Sequence, residues 1–112
     1  MIERFAEELY KSIVEENMEL YKKFFLCDPN EEGTIDYWKK AIGFFNTLDD
    51  KEKEILFSIM RNTITDTISN VLAVFDGSTG ADDISVQVKL NDYKNDGELQ
   101  DAFLAYAEEA EE

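Results

Sequence analysis

"FDGSTGADDISVQVKLNDYKNDGELQD", residues Phe75–Asp101, interrupts a chain that otherwise reads as one helix after another. Inside it Ile84, Val86, Val88 and Leu90 alternate with Ser85, Gln87 and Lys89, the period of a strand with one buried face. No second run of this kind is obvious in the chain, and a lone strand leaves its own backbone donors and acceptors unpaired. Three partners can complete it. Residues near "DYKND" (92–96) or "FDGST" (75–79) can turn back as a short second strand. A symmetry mate can pair with residues 84–90 in a two-fold homodimer. Another protein can add a strand. The hairpin needs no second molecule and is the expected solution, with the dimer next.

Working outward, the flanking segments carry helical spacing. Ile2, Phe5, Leu9, Ile13, Leu20 and Phe24 form one stripe, widened by Tyr10, Val14, Tyr21 and Phe25, which predicts a first helix of some 25 residues from Ile2 to Leu26. At 1.5 Å per residue it spans about 37 Å, enough to pack along the whole body. Asp28 precedes Pro29, which pushes it out of helical geometry, so "DPNEEG" reads as a loop. Thr34 is the expected N-cap of a second helix presenting Tyr37, Trp38, Ala41, Ile42, Phe45 and Leu48. Gly43 weakens that helix, and close packing against a neighbour is the expected compensation.

Asp49 and Glu52 stand at the two positions of a capping box and open a third helix that reaches Phe75. Its middle, "TITDTISN", is rich in β-branched residues with weak helix propensity. Helix is still the expectation, because apolar residues fall at 60, 64, 68, 71, 72 and 75 while strict alternation fails after Ile68. Asp76–Gly77 closes this helix. A capping box from Asn95 to Glu98 opens the last one, with Leu99, Ala102, Phe103 and Tyr106 inward. The closing "AEEAEE" places glutamates at a helix C-terminus, where the macrodipole repels them, and predicts fraying. The predicted fold is therefore mainly α: one domain over residues 1–112, four helices, with one small strand or hairpin between the third and fourth.

Composition narrows the functions open to such a domain. The 112 residues are 44% hydrophobic, enough for one compact domain and too few for two. With 26 acidic and 11 basic residues the net charge is −15, which argues against nucleic acid and against an anionic membrane as partners. The acid is uneven: residues 55–112 hold 12 acidic and 3 basic side chains, net −9, against net −6 for residues 1–54. That face suits steering toward a basic protein, although solubility alone also explains it. A single cysteine, Cys27, excludes an internal disulfide and fits a reducing, cytoplasmic setting. The first twenty residues carry charge every few positions, unlike a signal peptide or a membrane span.

Without histidine, the Ser-His-Asp and Cys-His arrangements and histidine-based zinc sites are all excluded, and any chemistry would rest on carboxylates, tyrosine or lysine. Neither Asp-rich loop matches a calcium-binding loop: from Asp76, Gly80 and Gln87 occupy ligand positions, and from Asp92, Lys94 and Phe103 do. A helix C-terminus disfavours a thiolate, so Cys27 reads as a buried or half-buried structural thiol. No cofactor and no metal are implied. The expected function is non-enzymatic protein binding. The candidate contact residues are Asp76, Asp82, Asp83, Asp92, Tyr93 and Asp96, with Tyr93 the aromatic most expected at the surface because it falls in a polar turn. Trp38, Phe44 and Phe45 are expected in the core.

The segment "VFDGSTGADDISVQVKLNDYKNDGELQDAFLAYAEE", residues 74–109, resembles the C-terminal part of small acidic bacterial proteins in which an "N-D-G-x-L-x-D-x-F" stretch opens a final helix. Here those positions are Asn95, Asp96, Gly97, Leu99, Asp101 and Phe103. Small acidic proteins of this kind are often immunity partners of toxins. The resemblance therefore implies an inhibitor of a basic toxin or effector. A homodimer of structural or regulatory role and a small-molecule sensor are the competing expectations.

Overall fold

The computed structural model describes residues 1–77 and 83–112. The first apolar stripe becomes one continuous helix, α1, which runs as Ile2–Leu9, a π-helical stretch Tyr10–Glu15, and Glu16–Phe25. Its buried residues include Ile2, Ala6, Tyr10, Val14 and Met18, a strict four-residue repeat. Such a repeat advances about 40° per step around a 3.6-residue helix and would drift off the core within three steps. The wider turn of the π stretch cancels much of that drift and keeps Tyr10, Val14 and Met18 inward. The core line is thus shifted from the predicted stripe: Leu9 and Ile13 are only half-buried and Leu20 is exposed.

The second helix, α2, spans Asp36–Asn46. Its N-cap is Ile35, without a side-chain cap, in place of the expected Thr34, whose own N–H closes the preceding turn onto Glu31 O. Gly43 faces open space, so the expected close neighbour does not exist. Helix α3, Asp50–Phe75, starts on the predicted capping box: Asp49 Oδ1 accepts from Glu52 N at 2.8 Å and Glu52 Oε1 from Asp49 N at 2.9 Å. Its Thr-rich middle stays helical because Ile64, Ile68 and Leu72 carry the helical period onto the main core, and the Thr63 and Thr67 hydroxyls donate to the carbonyls of Ile59 and Thr63, one turn back.

The strand finds its partner inside the chain. β1 (Lys89–Leu90) pairs antiparallel with β2 (Tyr93–Lys94), Leu90 opposite Tyr93, around a turn in which Asn91 takes φ 56°, a conformation Asn tolerates. Asn95 N donates to Val88 O at 3.0 Å and adds a rung. The strand is shorter than its pattern suggests: Val88 and Leu90 pack on the core, but Ile84 is 66% exposed. Helix α4, Leu99–Ala110, completes the order.

The predicted Asn95–Glu98 box forms by half. Asn95 Oδ1 accepts from Glu98 N, while the Glu98 carboxylate turns to Tyr93. The cap of α4 comes instead from Asp76, at the end of α3, whose carboxylate accepts from Leu99 N at 3.1 Å, Gln100 N at 2.9 Å and Asn95 Nδ2 at 2.8 Å. The closing "AEEAEE" is helical through Ala110, and Glu111 Oε1 accepts from the Tyr10 hydroxyl at 3.0 Å and from Thr65 Oγ1 at 3.2 Å.

Two packed regions result. The main core joins Ile2, Ala6, Tyr10, Val14, Leu72, Leu99, Phe103 and Ala107, where α1, α3 and α4 meet. The other is an aromatic lobe at the far end of α1, in which Phe25 stacks on Phe45 at 4.6 Å and Trp38 packs on Phe24 at 4.7 Å. Phe45 is buried as expected and Trp38 half-buried, but Phe44 is 57% exposed, and Cys27 is exposed as well. The molecule is elongated, 50 × 33 × 23 Å, with a radius of gyration of 17.7 Å. A compact chain of this length would give about 13 Å. Among the described residues, no helix is long and apolar enough to cross a membrane.

Candidate functional site

Where the first turn of α1 lies beside α4, an open groove of about 490 Å³ runs along both helices. The α4 side is built by one helical face: Glu98, Asp101, Ala102, Ala105, Tyr106 and Glu109 recur at the three- and four-residue steps that stack side chains. Ile2 and Glu3 close it from α1. Its floor is therefore apolar and low, with two alanine methyls beside Ile2 and Tyr106, while Glu3, Glu98, Asp101 and Glu109 stand around it. No cationic side chain lines it. Of the four carboxylates only Glu3 has an ion-pair partner among the described residues, the Met1 amine at 3.9 Å.

The hairpin extends this rim. The Tyr93 hydroxyl donates to Glu98 Oε2 at 3.2 Å, and that hydrogen bond, followed by the Glu98 charge with smaller contributions from Glu3 and Asp96, holds its phenol above the ordinary tyrosine range. Tyr93 and Asp96 are both exposed, and of the six candidate contact residues Tyr93 reaches the groove, through its bond to Glu98. Asp92 is exposed on the hairpin turn and Asp83 is exposed outside it. Asp76 is half-buried and engaged in capping α4, a different use from the contact role expected of it. Asp82 lies outside the described residues.

A second arrangement was not foreseen in the sequence. Arg61, Thr65, Ser69 and Asp76 follow one face of α3 and meet polar groups along the molecule. Arg61 Nη1 donates to the Tyr10 hydroxyl at 3.2 Å, and Tyr10 and Thr65 donate to Glu111. Gln100 Nε2 donates to Ser69 Oγ at 3.0 Å. Burial is the largest cause that raises the Tyr10 pKa; the Arg61 bond opposes it and Glu111 adds to it. A phenol held protonated in this way is a poor general base, and its hydroxyl serves to join α1, α3 and the end of α4. The one sequence signal was Arg61 itself, one of two arginines, set in the middle of a helix otherwise short of cations.

Among the described residues, no group of three or more His, Cys, Asp or Glu side chains converges as a metal site. Comparison with protein-family models, with curated proteins and with solved structures finds no match to this chain.

Proposed function

We propose that this chain is a non-enzymatic protein-binding domain whose α1/α4 groove receives a basic, amphipathic segment of a partner. The observation that carries the reading is the groove's composition: an apolar floor of Ile2, Ala102, Ala105 and Tyr106 inside a rim of Glu3, Glu98, Asp101 and Glu109, with no Lys or Arg side chain among its lining residues. An apolar face laid on that floor supplies affinity, and lysines or arginines over the rim supply orientation and rate of encounter. Rim pairs are solvent-exposed and worth roughly 0.2–1 kcal/mol each, so the acids select the partner more than they hold it. The net charge of −15 steers the same class of partner from a distance. An inhibitor of a basic toxin or effector is the form of this function that suits a small acidic domain.

Co-purification from lysate tests it, with wild type compared against a Glu98→Gln, Asp101→Asn, Glu109→Gln triple variant at about 50 mM and about 500 mM salt. The expected result is a basic partner retained by wild type at low salt, weakened by salt and lost by the variant. Equal retention by wild type and variant, or no partner at either salt, refutes the reading.

A further inference from the structure

We infer that the aromatic lobe is a self-association surface, occupied by a second copy of this chain. The first observation is area. The accessible surface is 8036 Å², whereas a compact monomer of this mass exposes about 6,300 Å². A standard interface covers about 800 Å² on each partner, which removes roughly half of that surplus.

The second observation is where the surplus is apolar. On α2, Trp38, Ile42 and Phe45 turn inward, which leaves Tyr37, Lys40, Ala41 and Phe44 along the outer face. Tyr37 is 63% and Phe44 57% exposed, and Ile35, just before the helix, is 62% exposed. An apolar cleft of about 340 Å³ lies on the other flank of α2, lined in part by Phe24, Ile35, Trp38 and Ile42. A two-fold interface is self-complementary, so the Tyr37–Phe44 ridge of one copy meets the same ridge of the other.

The third observation identifies the occupant. Two copies carrying −15 each repel over most of their surface. Residues 20–53, which build the lobe, hold 7 acidic and 6 basic side chains, net −1, which leaves −14 on the rest of the chain. The lobe is nearly neutral, so two copies meet there with little charge penalty, and it has little excess of acid to attract the basic partner proposed for the groove. The two surfaces lie at opposite ends of α1 and share no residue.

Sedimentation velocity of the full chain from about 1 to about 200 µM, at low and high salt, tests the inference across the affinity range of modest standard-size interfaces. The emission of Trp38, the only tryptophan, is the second readout because its ring packs edge-on against Tyr37 at 5.2 Å. The expected result is reversible dimerisation that salt preserves or strengthens, with a Trp38 shift on dilution. Phe44→Glu and, separately, Tyr37→Gln should each weaken it about 30-fold or more, the effect of losing an aromatic anchor. Both sites are exposed, so circular dichroism should show the helices intact, and Asp101→Asn in the groove should leave dimerisation unchanged. A monomer at every concentration in high salt, or a dimer indifferent to both lobe substitutions, overturns the inference. Because salt weakens groove binding and does not weaken lobe association, failure of one leaves the other separately measurable.

Discussion

Replacing Asp76 with alanine removes an acceptor that holds two elements together, and the structure sets the scale of the loss. Its carboxylate receives two backbone N–H groups at the start of α4 and the Asn95 side chain. Loss of a side-chain cap costs about 1 kcal/mol, and a hydrogen bond to a charged group contributes about 1.5 kcal/mol or more. Against this, removing a negative charge from the C-terminus of α3 relieves an unfavourable dipole interaction of about 0.3–1 kcal/mol. The net destabilisation expected for Asp76→Ala is about 2 kcal/mol, or a fall in Tm of about 8 °C for a domain of this size. Asp76→Asn keeps a neutral acceptor and should lose about half as much. Urea denaturation should show a lower midpoint at unchanged slope, and hydrogen exchange should show protection lost first at the Leu99 and Gln100 amides. A variant as stable as wild type, with those amides still protected, would refute the assignment of Asp76 as the cap of α4 and return it to the pool of free surface acids.

Three further outcomes follow from the packing. Gly43→Ala should stabilise the protein by about 0.5–1 kcal/mol in thermal melts, because the added methyl enters open space on a helix. Tyr10→Phe should cost about 1 kcal/mol at neutral pH by removing the bonds to Arg61 and Glu111. Because the folded pKa of Tyr10 lies above its ordinary 10.0, the stability linked to that proton is fully present below about pH 10 and is lost as pH rises through the folded value. Alkaline denaturation should therefore be steeper in wild type than in the phenylalanine variant. Phe103→Ala, at the fully buried centre of the main core, should cost about 3–5 kcal/mol in urea melts and leave a marginal fold.

The four helices, the Asp49–Glu52 capping box and the position of the β element were legible in the chain because each depends on residues within a turn or two of one another. Periods of 3.6 and 2 and the residues that cap and break helices act locally, and even "TITDTISN" keeps its helix because Ile64 and Ile68 hold the helical period. The hairpin partner was legible for the same reason, since Tyr93–Lys94 lies only a two-residue turn beyond Leu90. The absence of histidine and the presence of a single cysteine likewise follow from composition alone.

What required the tertiary structure was every feature in which distant residues meet. Asp76 looked like an exposed loop acid until the docking of α4 placed two free N–H groups 23 and 24 residues away within its reach. The π stretch in α1 answers to a core face shared with α3 and α4, so no local rule announces it. The groove exists because α4 lies along the first turn of α1, and the ridge on α2 is exposed because, among the described residues, no element covers it. Local interactions decide what each segment is; only the packing of segments decides which of their polar groups are used internally and which remain for a partner.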